Sequence, residues 1–261
     1  VFCRSVVVVR NDLKLRCEFS SGTPRSWSAG GTVPGLFWLP GLTSIAAADE
    51  AFEVLSYVFR QYDSDLPGKN RTPSGVDRAP GSKGIRILSI HWGPNWAYRH
   101  SPNDGQEFRR YLARRLIDEL NVDLIYGHSS HHVRGLELHH DRLIIYGAGD
   151  LVNDYEGFEN PGDELFSPFG SLFVVDLTSD GNLFSLGMIP MFMDRLRVRR
   201  LTTSSYIHSP ELRAMCPLYN SIQGFHKFVN HMSFLDAGGH RAALRLRTDR
   251  WIDGDKILVY P

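Results

Sequence analysis

Cysteine is scarce in this chain. Three residues in 261 (Cys3, Cys17 and Cys216), far apart and without a CxxC pair, argue against a disulfide scaffold and against a thiolate zinc site. Net charge is absent: 29 Lys plus Arg balance 29 Asp plus Glu. No global field therefore steers the molecule toward nucleic acid or an anionic membrane. No apolar run approaches the roughly 18 residues of a spanning helix. A GxSxG nucleophile elbow, a GxxxxGK[ST] phosphate loop and a GxGxxG turn after a strand are all lacking. Hydrophobic residues at 42% and charged residues at 22% are ordinary globular values, which excludes a disordered chain or a coiled coil. Histidine is what stands out, with 11 residues unevenly spread.

The chain opens without an initiator Met, on Val1-Phe2-Cys3-Arg4-Ser5-Val6-Val7-Val8-Val9. That run is too short for a signal h-region with its cleavage site and reads as a buried strand. A start in mid-strand suggests a fragment. Val6–Val9 and Leu13–Phe19 read as two strands around the Asn11-Asp12 turn. Residues 20–40, rich in Gly, Ser, Pro and Trp, read as a loop. Residues 44–60 space Ile45, Phe52, Leu55, Val58 and Phe59 as an amphipathic helix does. Residues 61–84 hold few large apolar side chains and read as a flexible insertion.

From Ile85 onward the pattern becomes informative. Ile85–Ile90 is a short apolar run, hence a buried strand, and it runs into His91-Trp92-Gly93-Pro94-Asn95. Phe108, Leu112, Leu116 and Leu120 recur every four residues, a single apolar stripe on a helix over 106–120 that Asn121 breaks. Val122–Tyr126 is a second buried strand, ending in Gly127-His128-Ser129-Ser130-His131-His132. Leu136–His140 reads as a strand with His140, and His139 less certainly, facing outward. Leu143–Tyr146 is a third buried strand, ending in Gly147-Ala148-Gly149-Asp150-Leu151-Val152-Asn153. Leu172–Leu177 and Leu183–Ile189 form a hairpin across 179–182. Arg195, Arg197, Arg199 and Arg200 alternate with Leu196 and Val198 as a strand with a basic face. Residues 210–234 read as helical. Leu244–Arg247 and Lys256–Tyr260 are short closing strands.

Three buried strands thus end in polar clusters: His91 with Asn95, His128 with His131 and His132, Asp150 with Asn153. Ligand sites in open α/β sheets lie beyond the carboxyl ends of strands, where distant segments converge. Imidazole, carboxylate and amide donors together suit Zn, Mn or Fe. Gly93, Gly127 and Gly149 permit the tight turns that aim such side chains. Each residue also has a plainer reading. A single His after a strand is ordinarily a hydrogen-bonded turn residue, His132 could face solvent, and Asp150 or Asn153 could cap the next turn.

The segments Ser89-Ile90-His91-Trp92-Gly93-Pro94-Asn95-Trp96, Gly127-His128-Ser129-Ser130-His131-His132 and Tyr146-Gly147-Ala148-Gly149-Asp150 through Gly157 resemble successive motifs of the bacterial capsule-synthesis CapA family. Ser21–Trp27 resembles its SGIPxxW loop. Gly187–Met191 with Arg195–Arg199 resembles its MIPM segment. The resemblance covers residues 15–205, in order. It implies an α/β, metallophosphoesterase-like sandwich of mixed sheets flanked by helices. It also implies a role in poly-γ-glutamate (anionic polymer) capsule synthesis or metabolism, with His91, His128 and His131 as catalytic metal ligands to a divalent ion. Asn95, His132, Asp150 and Asn153 would support them. The family's GD, N-x-E and NNH motifs do not precede Ser21. The chain therefore reads as the C-terminal portion of such a domain over 1–205, the N-terminal part of the fold lacking, with 206–261 as an extension packed on it. The alternative is a non-catalytic scaffold or truncated homologue with an incomplete metal site. The implied partners are an anionic polymer or small-molecule substrate and a capsule-synthesis complex, with no nucleic acid. The implied location is the bacterial cell envelope.

Overall fold

A computed structural model describes residues 7–8, 14–19, 37–39, 41–65, 85–93, 105–151, 169–194, 197–201, 222–238, 251–252 and 256–260. Among them two six-stranded sheets are layered, with helices on the outside. The first sheet contains β2 (Lys14–Phe19), β3 (Phe37–Leu39), β4 (Ile87–His91), β5 (Leu124–His128), β6 (Leu136–His139) and β7 (Arg142–Ile145), in the order β3-β2-β4-β5-β7-β6. All its pairings are parallel except β6 with β7. The second sheet contains β1 (Val7–Val8), β8 (Phe169–Leu177), β9 (Leu183–Asp194), β10 (Arg197–Arg200), β11 (Trp251–Ile252) and β12 (Lys256–Tyr260). It is antiparallel apart from the β1–β8 pair.

The period of two along each strand divides the core. Leu124 and Tyr126 of β5, and Leu143 and Ile145 of β7, enter the cluster shared with Phe173, Leu186 and Met188 of the second sheet. Ile125 and Ile144, one residue out of phase, enter the cluster beneath α1 (Ile45–Asp65) and α2 (Gln106–Leu120). Both faces of the first sheet are therefore apolar, as parallel sheets require. α2 buries Leu112, Ala113, Leu116 and Ile117. It stops where Asn121 takes a left-handed φ of 52° and its N–H closes on the Leu116 carbonyl. α3 (Ile222–Asp236) lies beside β6 and adds Phe225 and Val229 to the core between the sheets.

The strands over 85–90, 122–126, 143–146 and 172–189, and the helices over 44–60 and 106–120, form where the periodicity predicts, within a few residues at their ends. Three expectations change. The two strands around Asn11-Asp12 do not pair with each other: β1 joins β8 in one sheet and β2 joins β3 and β4 in the other. A turn signal marks a reversal or a crossing but does not choose the partner strand. The loop over 20–40 contains a strand, β3, because Phe37-Trp38-Leu39 extends the sheet beside β2. The insertion over 61–84 begins as the last turns of α1, which runs to Asp65. The helix expected over 210–234 is present at Ile222–Asp236, and residues 210–221 lie outside the described residues. Arg195 and the strand expected over 244–247 lie outside the described residues.

Candidate functional site

Strands β4 and β5 end in register, His91 opposite His128. Each histidine has the parity of the residues that face the second sheet (Ile87 on β4, Leu124 and Tyr126 on β5). Both imidazoles thus stand at the carboxyl-end rim of the inter-sheet layer. Their Nδ1 atoms are 3.3 Å apart and their rings meet edge-on at 71°. Ser89 Oγ, two residues before His91 on the same face, is 3.4 Å from His128 Nε2. Two nitrogens bound at 2.0–2.1 Å to one tetrahedral ion stand about 3.4 Å apart. The 3.3 Å separation is that of a hydrogen bond between the two rings, and it is also close to the span of two nitrogens on one ion.

Backbone hydrogen bonds draw the strand-end loops together. The Trp92 N–H donates to the His128 carbonyl (2.9 Å) and the Ala148 N–H to the Gly127 carbonyl (3.1 Å). Ser129 Oγ donates to the Gly93 carbonyl (2.9 Å). The buried Trp92 indole N–H donates to the Tyr146 carbonyl (3.0 Å). Gly93 (φ 89°) and Gly149 (φ 72°) make the expected turns. Gly127 does something else: it lies inside β5, and a Cβ there would collide with Trp92 Nε1 and the Ile145 and Tyr146 carbonyls. Ser129 (φ 112°) and His131 (φ 60°) hold left-handed backbone without being glycine. Such strain persists only where surrounding contacts over-determine it, and it concentrates at functional sites.

The three clusters converge, but not as one ring of ligands. His131 Nδ1 pairs with Asp150 Oδ2 at 2.7 Å, both side chains nearly buried. Asp150 is thus the partner of His131, and the plainer reading of it as a cap is not needed. His131 does not lie within 4.8 Å of both His91 and His128. Among the described residues no third His, Cys, Asp or Glu completes a group with that pair. His132 faces neither solvent nor the rim. It is fully buried, and its Nδ1 donates to the Ser130 carbonyl at 2.7 Å. Burial, with Arg134 nearby adding to it, holds its imidazole down to about 3, so it is neutral at physiological pH. Asn95 and Asn153 lie outside the described residues.

Sequence reasoning missed the polar network under the His131 loop. Arg134 and Asp236, both buried, pair at 2.8 Å, and Asp236 also accepts the Gly135 N–H at 2.6 Å. Ser233 Oγ accepts the Leu136 N–H. Glu137, buried on β6, accepts from Arg114 Nε and from the Tyr146 hydroxyl, each at 2.7 Å. Burial first, and Glu137 second, push the Tyr146 hydroxyl well above its ordinary value, so it stays a donor. The only available signal was a charge in each of two apolar settings, Leu136-Glu137-Leu138 and the end of α3. A solvated position looks the same in sequence.

The fold is a layered α/β domain, and its paired imidazoles and His–Asp couple stand where the parallel strands end, the position at which open α/β sheets carry their ligand sites. Comparison with known proteins gives the family. Residues 47–155 match the bacterial capsule synthesis protein PGA_cap. Two curated relatives, probable polyglutamine synthesis accessory proteins of Mycobacterium tuberculosis strains CDC 1551 and H37Rv, are each 38% identical over 183 residues. That alignment takes in 69% of this chain and 40% of each relative, so the chain spans about two fifths of the length of the relatives it matches. The chain belongs to the CapA-like capsule-synthesis family. All three strand-end loops up to Asp150 fall inside the matched segment. Among the described residues no helix is long and apolar enough to cross a membrane.

Proposed function

We propose that this chain carries part of the active centre of a metal-dependent hydrolase, of metallophosphoesterase type, acting on poly-γ-glutamate or a related anionic polymer of the bacterial cell envelope. The observation that carries the reading is the His91–His128 pair, held in register with Nδ1 atoms 3.3 Å apart. The pair would hold one divalent ion, Zn, Mn or Fe, with the rest of the shell from water, substrate or residues beyond those described. Such an ion supplies Lewis-acid polarisation of a carbonyl or phosphoryl oxygen. His131 has a different role from shared ligation. Asp150 accepts its Nδ1 proton, which fixes the tautomer and leaves Nε2 the basic nitrogen. The couple thereby holds a proton acceptor at the rim. The polymer class and membership of a synthesis complex rest on the family and on the accessory role in the relatives' name.

The experiment is elemental analysis and hydrolysis of γ-glutamyl and phosphodiester substrates, with the wild type, His91→Ala, His128→Ala and His131→Ala. Loss of bound metal and turnover in the first two, and of turnover alone in the third, is expected. Unchanged turnover in all three sinks the reading. A second reading, a non-catalytic scaffold in a capsule-synthesis complex, is favoured by the absence of a third described donor beside the pair. It predicts polymer binding without turnover, through the exposed Arg197 and Arg199 of β10, and that binding weakens with salt.

A further inference from the structure

We propose a second divalent-cation site, formed by Asp118, His139 and His140 at the opposite end of the first sheet from His91 and His128. One ligand atom from each of the three side chains lies within 4.8 Å of the other two, the one such group among the described residues. His139 Nε2 is 2.9 Å from Asp118 Oδ1, and His140 Nε2 is 3.7 Å from the same oxygen. The two rings stand edge-on, 4.3 Å between centroids.

The fold makes this arrangement in two steps. Along a strand, neighbours point to opposite faces, so His139 and His140 should diverge. But β6 ends at His139, and the turn into β7 is two residues, His140 (φ 47°) and Asp141 (φ 60°), both left-handed. Positive φ at both central residues is the tight hairpin turn whose twist suits the flanking strands. It bends His140 back beside His139. Asp118 then arrives from the last turn of α2, which carries no basic residue. A carboxylate near the negative end of a helix is unfavourable unless a cation meets it.

A hydrogen bond between His139 and Asp118 accounts for two of the three groups. The third, His140, holds its Nε2 3.7 Å from that oxygen, beyond hydrogen-bond range, and an ion bound between them would use all three. Two imidazoles and one carboxylate select a borderline ion such as Zn2+ or Ni2+ over Mg2+ or Ca2+. His140 is 75% exposed by side chain, Asp118 44% and His139 17%, so two of the three groups keep contact with water. Desolvation therefore costs little, and coordination positions stay open to water. Bound metal would clamp the end of α2 to the β6–β7 turn. Along β5 the two sites are separated by about 15 Å, from the rise of some five strand residues.

The test is calorimetric titration of the whole chain with Zn2+ alone. The proteins compared are the wild type, a His139→Gln/His140→Gln variant, Asp118→Asn, and a His91→Gln/His128→Gln variant. His140 and Asp118 are exposed and His139 is only 17% exposed, so circular dichroism checks that each protein is folded. One zinc equivalent should weaken at least about tenfold in both surface variants, a loss at least that of removing a supporting partner. That equivalent should persist when His91 and His128 are replaced. Identical titrations of the wild type and both surface variants overturn the proposal. So does loss of every equivalent in the His91/His128 variant alone. The first outcome leaves the rim pair's own role untouched, whereas the second assigns all the bound zinc to that pair.

Discussion

The two ends of the first sheet carry histidines in opposite ways. At the carboxyl end, His91, His128 and His131 are held by in-register strands, by backbone bonds between loops and by the strained residues Ser129 and His131. At the amino end, His139 closes β6 and His140 begins the two-residue turn after it, both against an exposed carboxylate. The first end stands on a buried polar network and tolerates little change. The second is assembled from surface groups that could be exchanged without disturbing the core. A geometry fixed from several distant segments belongs to the first, and it is what the proposed catalytic role would require. An open ion clip belongs to the second.

The contrast is sharpest in the network beneath the His131 loop. Asp236→Ala breaks the buried ion pair with Arg134 and removes the acceptor of the Gly135 N–H. Breaking a buried ion pair by removing one member costs about 4 kcal/mol. Urea unfolding should show a loss of that order, and a loss below about 1 kcal/mol would mean the network is incidental.

Acid should act next most strongly, again on the carboxyl end. His132 is held near 3 in the folded state against an ordinary 6.5. The unfolded chain therefore binds a proton that the folded one refuses. Its contribution to stability is complete above about pH 6.5 and is lost as pH falls toward 3, by roughly a factor of ten in the folding equilibrium per unit. Arg134, Asp236 and His131 are the charged or titratable neighbours that act on it. Unfolding measured between pH 6.5 and 4.5, for the wild type and for His132→Gln, isolates the effect. Equal slopes in the two proteins would count against a buried neutral His132.

The smallest effects come from a matched pair of backbone changes. Gly127→Ala places a methyl against Trp92 Nε1 and the Ile145 and Tyr146 carbonyls. About 2 kcal/mol of destabilisation follows from overpacking. His140→Gly, at the other end, relieves a left-handed φ of 47°. It should change stability by less than about 1 kcal/mol in either direction. If His140→Gly costs more than Gly127→Ala in thermal melts, the two ends differ less than the structure indicates.

Much of the fold was legible because burial writes a period into the chain. Phe108, Leu112, Leu116 and Leu120 marked α2 to the residue, and Asn121 marked its end. The apolar runs of β4, β5 and β7 announced a sheet covered on both faces, as their residues divide between two cores. Local signals could not assign strand partners, which is why β1 and β2 part company across Asn11-Asp12. At the site, the position of His91, His128, His131 and Asp150 at strand ends could be read. Their pairing could not, since whether His131 turns to His128 or to Asp150 depends on a φ of 60° and on loops packed from distant segments.

By itself, then, the sequence determined the α/β class, the family likeness of the strand-end motifs, and the convergence of His91, His128 and Asp150 on one end of one sheet. Those follow from hydrophobic periodicity and from the rule that parallel strands end together. Only the tertiary structure decided that His132 is buried and neutral and that Arg134 and Asp236 carry the loop. It alone brought Asp118, 21 residues before His139 in the chain, to within 2.9 Å of it. Burial and proximity of polar groups depend on which elements pack together, and no local pattern of charge records that.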